Sequence, residues 1–474
     1  MNTKEIKTAS NKILWIFAIG QLGWSLLSGI ISNWLVFYFQ PGASELAKGQ
    51  LVYIPQGKLL GIVTAIGAIT ALGRIFDAVT DPLIAGKSDS LKHRLGRRIP
   101  FMRFAAVPFG IVTVLIFVSP FEPGSFGNVV CLFIFAMLFY FCMTCYCTPY
   151  NALIPELGRT QNARINLSTF ISVTYFFGTA VAYLVPNIAA AFIDSAGYAG
   201  SFRITVAILA AVAVICMLVP AFLIDENTYA DTTPSETPAF RSLLGTFRNK
   251  DFRLFVCSDI LYWIGLTLFQ TGLSFYITEL LGLDSTMTFP MFAIMTVMSL
   301  LCYPAVNVLS KKLGKKKLIC FAFIFFSLTF LVTAAAGLTP IPAVVYGVMI
   351  AVLAAVPMAI LGILPQAVVA DISESDKLAT GESRQGMFYA ARTFAFKLGQ
   401  SAAMLLFTSI AVIGSSTPAG ESGHNIGYRL TAITAAVLCL AGGLVFLRYN
   451  EKKMLASIAA TSETNEKETE NDEI

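Results

Sequence analysis

Gly73-Arg74-Ile75-Phe76-Asp77-Ala78-Val79-Thr80-Asp81-Pro82 sits inside an apolar stretch that runs from about 59 to 86. A stretch of that length is about what one crossing of a ~30 Å hydrocarbon core requires. Each ionisable group at the centre of such a crossing costs on the order of 2.5–3.5 kcal/mol, so Arg74, Asp77 and Asp81 together call for a function. Asp77 and Asp81 are four residues apart and leave one face of a helix, where two negative charges repel unless a cation or a proton lies between them. Pro82 cannot donate to the carbonyl of Ala78, which leaves that oxygen available. With the Thr80 hydroxyl, the face becomes rich in the oxygen ligands that hard cations such as Na+ prefer. A proton is the rival occupant, because burial and a neighbouring charge both favour a protonated carboxyl. A competing reading has Arg74 simply neutralising one aspartate.

Working outward, apolar stretches of similar length recur near 13–39, 100–120, 127–154, 166–192, 202–223, 252–280, 286–310, 317–337, 342–370, 385–413 and 427–448. With 59–86 they make twelve expected spans. The 474-residue chain is 56% hydrophobic and only 13% charged, with a mean hydropathy of +0.71, which excludes an ordinary soluble domain. Gly and Pro fall inside several spans, as in Val107-Pro108-Phe109-Gly110 and Gly362-Ile363-Leu364-Pro365. Membrane helices tolerate this where neighbours re-satisfy the freed backbone groups. The first span is too long for a cleavable signal, and no small-residue cleavage site follows it.

Basic loops stay on the cytoplasmic side. One alternate set of loops carries Lys87, Lys92, Arg94, Arg97 and Arg98, then Arg159 and Arg164, then Arg248 and Lys250, then Lys311 to Lys317, while the other set is nearly bare. Both termini are therefore expected inside, and the net charge of +5 requires no nucleic-acid partner. The nine cysteines all fall in spans and read as small packing residues rather than a disulfide framework. His93 and His424 lie in loops, and neither a metal constellation nor a Gly-rich phosphate loop appears, so no enzyme and no cofactor is expected.

Arg94-Leu95-Gly96-Arg97-Arg98 returns as Lys312-Leu313-Gly314-Lys315-Lys316, half a chain later. A repeated loop of this kind indicates two related halves with the transport site near the midplane between them. The expected divisions are a six-helix half over 1–224, a cytoplasmic linker over 225–250, a second six-helix half over 251–450 and a disordered acidic tail over 451–474.

The run from Arg74 to Pro82, with Gly86 and Gly96-Arg97-Arg98-Ile99-Pro100, resembles the second-helix signature of the glycoside-pentoside-hexuronide:cation symporters, a branch of the major facilitator superfamily. Thr148-Pro149-Tyr150-Asn151-Ala152-Leu153-Ile154-Pro155 resembles the end of the family's fourth helix. Ala370-Asp371, Thr380-Gly381-Glu382-Ser383-Arg384-Gln385-Gly386 and Lys397 resemble its tenth-to-eleventh helix connection. The resemblance implies the superfamily fold: an all-α membrane protein, twelve helices in two pseudo-symmetric halves, in a cell (inner) membrane. It also implies a secondary active symporter that couples Na+ or H+ entry to uptake of a sugar, glycoside or hexuronide by alternating access.

Residue by residue, the resemblance places Asp77 and Asp81 on the family's two cation-binding aspartates, with Na+ held between them. Thr80 falls on the polar residue between the aspartates and Thr144 on the threonine that completes the site. Arg392, Thr393 and Lys397 fall on positions facing the cargo or the cation carboxylates. Two acids that grip a galactoside in the family are replaced here by Ser25 and Cys147, and a stacking aromatic by Asn151. Gln21, Trp24, Asn33, Tyr150 and Asn151 are then the polar groups offered to cargo, and Arg392, with no acid near it in sequence, hints at an anionic sugar. Asp259 either lines the same cavity or pairs with Arg253. Asp89, Arg97, Arg98, Glu156, Asp371, Glu382 and Arg384 are expected to form and break the ion pairs of a cytoplasmic gate, with plain topology-setting charge as the alternative. Lysophospholipid symporters resemble the same family and keep the second-helix aspartates. An amphiphile is therefore the alternative cargo, and it accounts for the missing acids.

Overall fold

A computed structural model of the chain describes residues 7–59, 63–230, 245–380, 385–414, 425–452 and 454–456. Helix α1 (Asn11–Phe39) leads to a short hook, α2 (Ala43–Ala47), and then to two strands, β1 (Lys58–Leu59) and β2 (Val63–Thr64). The strands pair antiparallel, Lys58 opposite Thr64 and Leu59 opposite Val63. The second span, expected from residue 59, therefore begins only with α3 (Ala65–Ser90). The β-branched pair Val63-Thr64 suits a strand, and Thr64 caps the helix by accepting from the Gly67 amide at 3.2 Å.

Next come α4 (Ile99–Ile116), α5 (Phe126–Leu157), α6 (Gln161–Tyr183), α7 (Val185–Ala190), α8 (Ile193–Leu223) and α9 (Glu226–Tyr229). The spans expected over 166–192 and 202–223 are thus recut. Gly197, with φ of 67°, breaks the helical path near the start of α8. The remaining helices are α10 (Lys250–Phe275), which closes with a π turn at Tyr276–Leu280, then α11 (Thr288–Leu313), α12 (Lys315–Ala334), α13 (Ala343–Thr380), α14 (Gln385–Ala411) and α15 (Ile426–Phe446). Eleven helices among the described residues are long and apolar enough to cross a membrane. The twelfth expected span, α3, is not among those eleven, and its centre carries the Arg74, Asp77 and Asp81 charges. Large apolar side chains such as Phe104, Ile215 and Leu301 are more than 60% exposed, as a lipid-facing surface requires. All nine cysteines are free thiols.

The chain forms two compact units. The first combines Met1–Pro238 with Gln270–Pro290 and Met404–Asn425, so it takes in the outer ends of α10 and α14 beyond the first six spans. Within it, α1 runs so close to α8 that a Cβ at Gly23 would lie 2.4 Å from the Ala213 carbonyl oxygen. The Trp34 indole donates to Ala182 O at 2.7 Å, and Tyr38 meets the Phe202 and Phe117 rings at centroid distances of 4.9 and 5.2 Å. At the outer end, Gln40 donates to Thr408 O at 3.2 Å and Asn425 to Glu279 O at 2.6 Å. The Ser44 amide and hydroxyl both donate to the Glu279 carboxylate, while Lys48 pairs with Asp284 at 2.8 Å and with buried Glu45 at 3.1 Å.

The second unit comprises Ala239–Phe269, Met291–Ala403 and Ile426–Ile474. Its helices are tied by Ser258 Oγ to Gly442 O and Ser327 Oγ to Ala436 O, both 2.9 Å, and by edge-on rings such as Phe252 against Phe388.

The repeated basic loops serve one architectural purpose in both units. Glu226, buried in α9, accepts the amides of Arg97, Arg98 and Ile99 at 3.1, 2.8 and 2.9 Å. Glu451, just past α15, accepts those of Lys315 and Lys316 at 2.7 and 2.9 Å. Each carboxylate satisfies orphan donors at a helix N-terminus, α4 or α12, and sits at the positive end of its dipole. The beginning of the expected linker and of the expected tail is therefore built into structure. Residues 231–244 and 457–474 lie outside the described residues.

Candidate cation and substrate site

Two hydroxyl side chains on α5 answer the two carboxylates on α3. Thr144 and Thr148 are four residues apart, the same spacing as Asp77 and Asp81, so two adjacent turns of each helix face one another. Thr144 Oγ1 donates to Asp77 Oδ1 at 2.8 Å, and Thr148 Oγ1 donates to Asp81 Oδ1 at 2.9 Å. Thr80 Oγ1 lies 3.2 Å from Thr144 Oγ1 and donates back to the Phe76 carbonyl at 2.9 Å. Asp77, Thr80 and Thr144 are buried, and Asp81 and Thr148 are half-buried.

The close approach of the two helices depends on Gly73. A Cβ there would lie 2.2 Å from the Tyr140 ring. Thr148 carried no role in the sequence reading. Its repeat of the acid spacing was the signal that could have found it.

The expected cargo residues separate into three groups. Gln21 and Ser25 are buried on α1, and Ser25 donates to Leu22 O at 3.1 Å. Trp24 is half-buried with its ring 6.3 Å from that of Tyr175, and among the described residues neither the Trp24 indole N–H nor the Asn33 amide nitrogen finds a hydrogen-bond partner. Cys147 is half-buried and Asn151 exposed.

Tyr150 is a correction. It is fully buried, its ring stacks on Phe17 at 4.1 Å and its hydroxyl donates to Phe17 O at 2.9 Å. A side chain so occupied holds α5 against α1 and has no surface for cargo.

The third group lies on α14, in the second unit. Thr393 donates to Tyr389 O at 3.0 Å, and Lys397 is half-buried. Arg392 was expected to lack an acid, and Asp259 either to line the cavity or to pair with Arg253. Instead Arg392 makes a buried two-pronged ion pair with Asp259, Nε to Oδ2 at 2.8 Å and Nη2 to Oδ1 at 3.0 Å. The hint of an anionic sugar at Arg392 falls with that, since its charge is already matched.

Among the expected gate residues, Arg98 reaches Asp89 at 3.5 Å and Glu156 at 3.6 Å, and Arg97 reaches Glu156 at 3.9 Å. Arg159 also pairs with Glu156, at 3.1 Å, and Asp371 pairs with Lys315 within the second unit. Glu382 and Arg384 lie outside the described residues.

Comparison with known proteins supplies a second line. A family model described as MFS/sugar transport protein matches residues 16–452. The chain is 24% identical over 453 residues to an uncharacterized symporter, YnaJ, of Bacillus subtilis (strain 168), covering 92% of this chain and 91% of that one. It is 34% identical over 110 residues to sodium-dependent lysophosphatidylcholine symporter 1 of Xenopus tropicalis, which is 23% of this chain and only 20% of that protein's length. A crystal structure of nucleoside transporter NupG superposes with a TM-score of 0.62 at 14% identity, over 93% of this chain and 99% of that one, and so shares the fold.

Proposed function

The chain belongs to the MFS/sugar transport protein family and is a multi-pass membrane transporter, not an enzyme; on that premise we propose that it is a symporter in which a small cation, bound between Asp77 and Asp81, is co-transported with an organic solute. The observation that carries this reading is the facing pair of spacings on α3 and α5, with Thr144 and Thr148 each turning a hydroxyl onto one carboxylate. Four hard oxygens in a buried or half-buried setting suit an alkali cation far better than a softer metal.

A positive ion placed between the acids removes their repulsion, so cation-loaded α3 and α5 pack more favourably than the ion-free pair. If cargo also favours that packed arrangement, each ligand raises the other's affinity by the same factor. Na+ is the proposed ion, supported by the sodium dependence in the name of the Xenopus relative. A proton is the alternative.

The cargo is proposed to be a sugar, glycoside or hexuronide, in line with the family's description. A second reading, a lysophospholipid or related amphiphile, is favoured by the local match to the Xenopus symporter and by Ser25 and Cys147, which offer no carboxylate to sugar hydroxyls.

Thermal melting of the purified protein in Na+, Li+ and K+ at two pH values tests the cation site. Na+ should raise the melting temperature of the wild type and leave Asp77→Asn and Asp81→Asn unmoved. A Na+ response that persists undiminished in both variants would place the ion elsewhere. Uptake of labelled sugars against labelled lysolipids, each with and without Na+, decides the cargo.

A further inference from the structure

Arg74 is the charge on α3 for which the cation site has no use. Its side chain is 8% exposed. Nη2 donates to Ser32 Oγ on α1 at 3.0 Å, the guanidinium lies 5.4 Å from the centroid of the Tyr140 ring, and Nε has no acceptor among the described residues. Among the described residues no carboxylate is paired with it, and Asp77 and Asp81 are met by threonines instead. A guanidinium has five N–H donors in a planar fork that matches carboxylate and phosphate oxygens two at a time. Here, among the described residues, Nη2 is answered by a neutral hydroxyl and Nε by nothing.

Arg74 meets α1 through Ser32, and α1 and α6 each carry an aromatic side chain of the first unit. Tyr175 on α6 is 50% exposed. Its ring stands 6.3 Å from that of Trp24, whose indole N–H is also without an acceptor among the described residues. A buried cation, a second unanswered donor and two aromatic faces therefore lie along α1, α3 and α6 of the first unit. Aromatic faces of this kind hold the apolar side of a sugar ring or an acyl-glycerol, while the guanidinium demands a negative oxygen.

We propose that Arg74, backed by Ser32 and flanked by Tyr175 and Trp24, is the binding point for an anionic oxygen group, a carboxylate or a phosphate, on the cargo. The inference rests on the transport reading above and narrows it: neutral sugars are poor cargo. The Arg392 charge, matched by Asp259, supplies no such point.

The test measures binding to the purified full-length chain in lipid nanodiscs with two matched probe pairs, phenyl glucuronide against phenyl glucoside and lysophosphatidylcholine against monoacylglycerol. In the wild type, the charged member of one pair should bind roughly 10- to 100-fold tighter than its neutral partner, the scale of one or two charge-assisted hydrogen bonds. The pair that responds identifies the source, a sugar acid or a lipid headgroup.

Arg74→Gln should erase that preference while leaving the neutral probe's affinity and the Na+ response intact, and Arg74→Lys should restore part of it. Equal affinity for charged and neutral members in both pairs overturns the proposal, and that comparison needs no variant to fold. So does an Arg74→Gln chain that keeps its preference but loses its Na+ response, which would make Arg74 a counter-charge to Asp77. An absent Na+ response in the wild type, with the anion preference present, counts against the cation reading and not against this one.

Discussion

Replacing Thr144 by Val removes one hydroxyl and almost no volume, so it isolates the bond to Asp77. That bond is 2.8 Å long and buried, and the same oxygen lies 3.2 Å from Thr80 Oγ1. A hydrogen bond to a charged group contributes about 1.5–3 kcal/mol, and losing it leaves the carboxylate poorer by one donor. If Thr144 also contributes an oxygen to the ion, Thr144→Val should weaken Na+ binding by roughly 10- to 100-fold. Melting reads this directly, because a ligand stabilises the folded state by RT ln(1 + [L]/Kd). At a Na+ concentration 100 times the wild-type Kd the stabilisation is about 2.7 kcal/mol; a tenfold weaker site gives about 1.4 and a hundredfold weaker one about 0.4. The assay is a Na+ titration of the melting temperature at constant ionic strength, with choline as replacement. On an Asp77→Asn background the same substitution should do little, since the two side chains act as a pair. A Thr144→Val chain that melts lower in choline yet keeps the wild-type Na+ midpoint would refute the reasoning, because the bond would then serve packing alone.

Gly73→Ala should lower stability by about 1–3 kcal/mol through overpacking against Tyr140; melting will show it. Asp259→Asn leaves the Arg392 guanidinium buried without its counter-charge and should destabilise by about 3–5 kcal/mol, whereas a paired Asp259→Leu, Arg392→Met variant should melt close to the wild type. Burial opposes ionisation of Asp284, but the Lys48 ammonium and the Thr286 amide outweigh it and hold the carboxyl down at about 2. A carboxyl held low in the folded chain contributes in full above its ordinary value near 3.8 and fades as pH falls through about 2. Asp284→Asn should therefore melt slightly lower than the wild type at pH 7, within about 1 kcal/mol for so exposed a pair, and the gap should narrow as the melts are taken toward pH 2.

The membrane class, the spans and the acid pair were legible because each rests on local signals: apolar length, loop charge and a spacing of four. The spacing could also have named Thr148, since the register that pairs Asp77 with Thr144 carries the next turn with it. What stayed hidden depends on tertiary approach. Arg392 and Asp259 are 133 positions apart, and neither span shows why they should meet. Tyr150 lies in a motif segment, yet it faces the backbone of α1, which no periodicity discloses. The start of α3 was misplaced because residues 59 to 64 are apolar enough to extend a span, while the strand pairing of Leu59 with Val63 and of Lys58 with Thr64 is a tertiary contact that hydropathy does not show. Glu226 read as linker because a single buried acid after a helix resembles any polar connector until its three amides are seen.

That acid sets where the chain can be divided. A severed first half that stopped at Leu223 would leave the Arg97, Arg98 and Ile99 amides at the start of α4 without Glu226, and one continued past Tyr229 would carry its own clasp. By the same logic a second half cut at Phe446 would release Lys315 and Lys316, and must retain Glu451 to hold α12. The usable seam between the halves falls after the hook that follows the sixth span, several residues later than hydropathy would draw it.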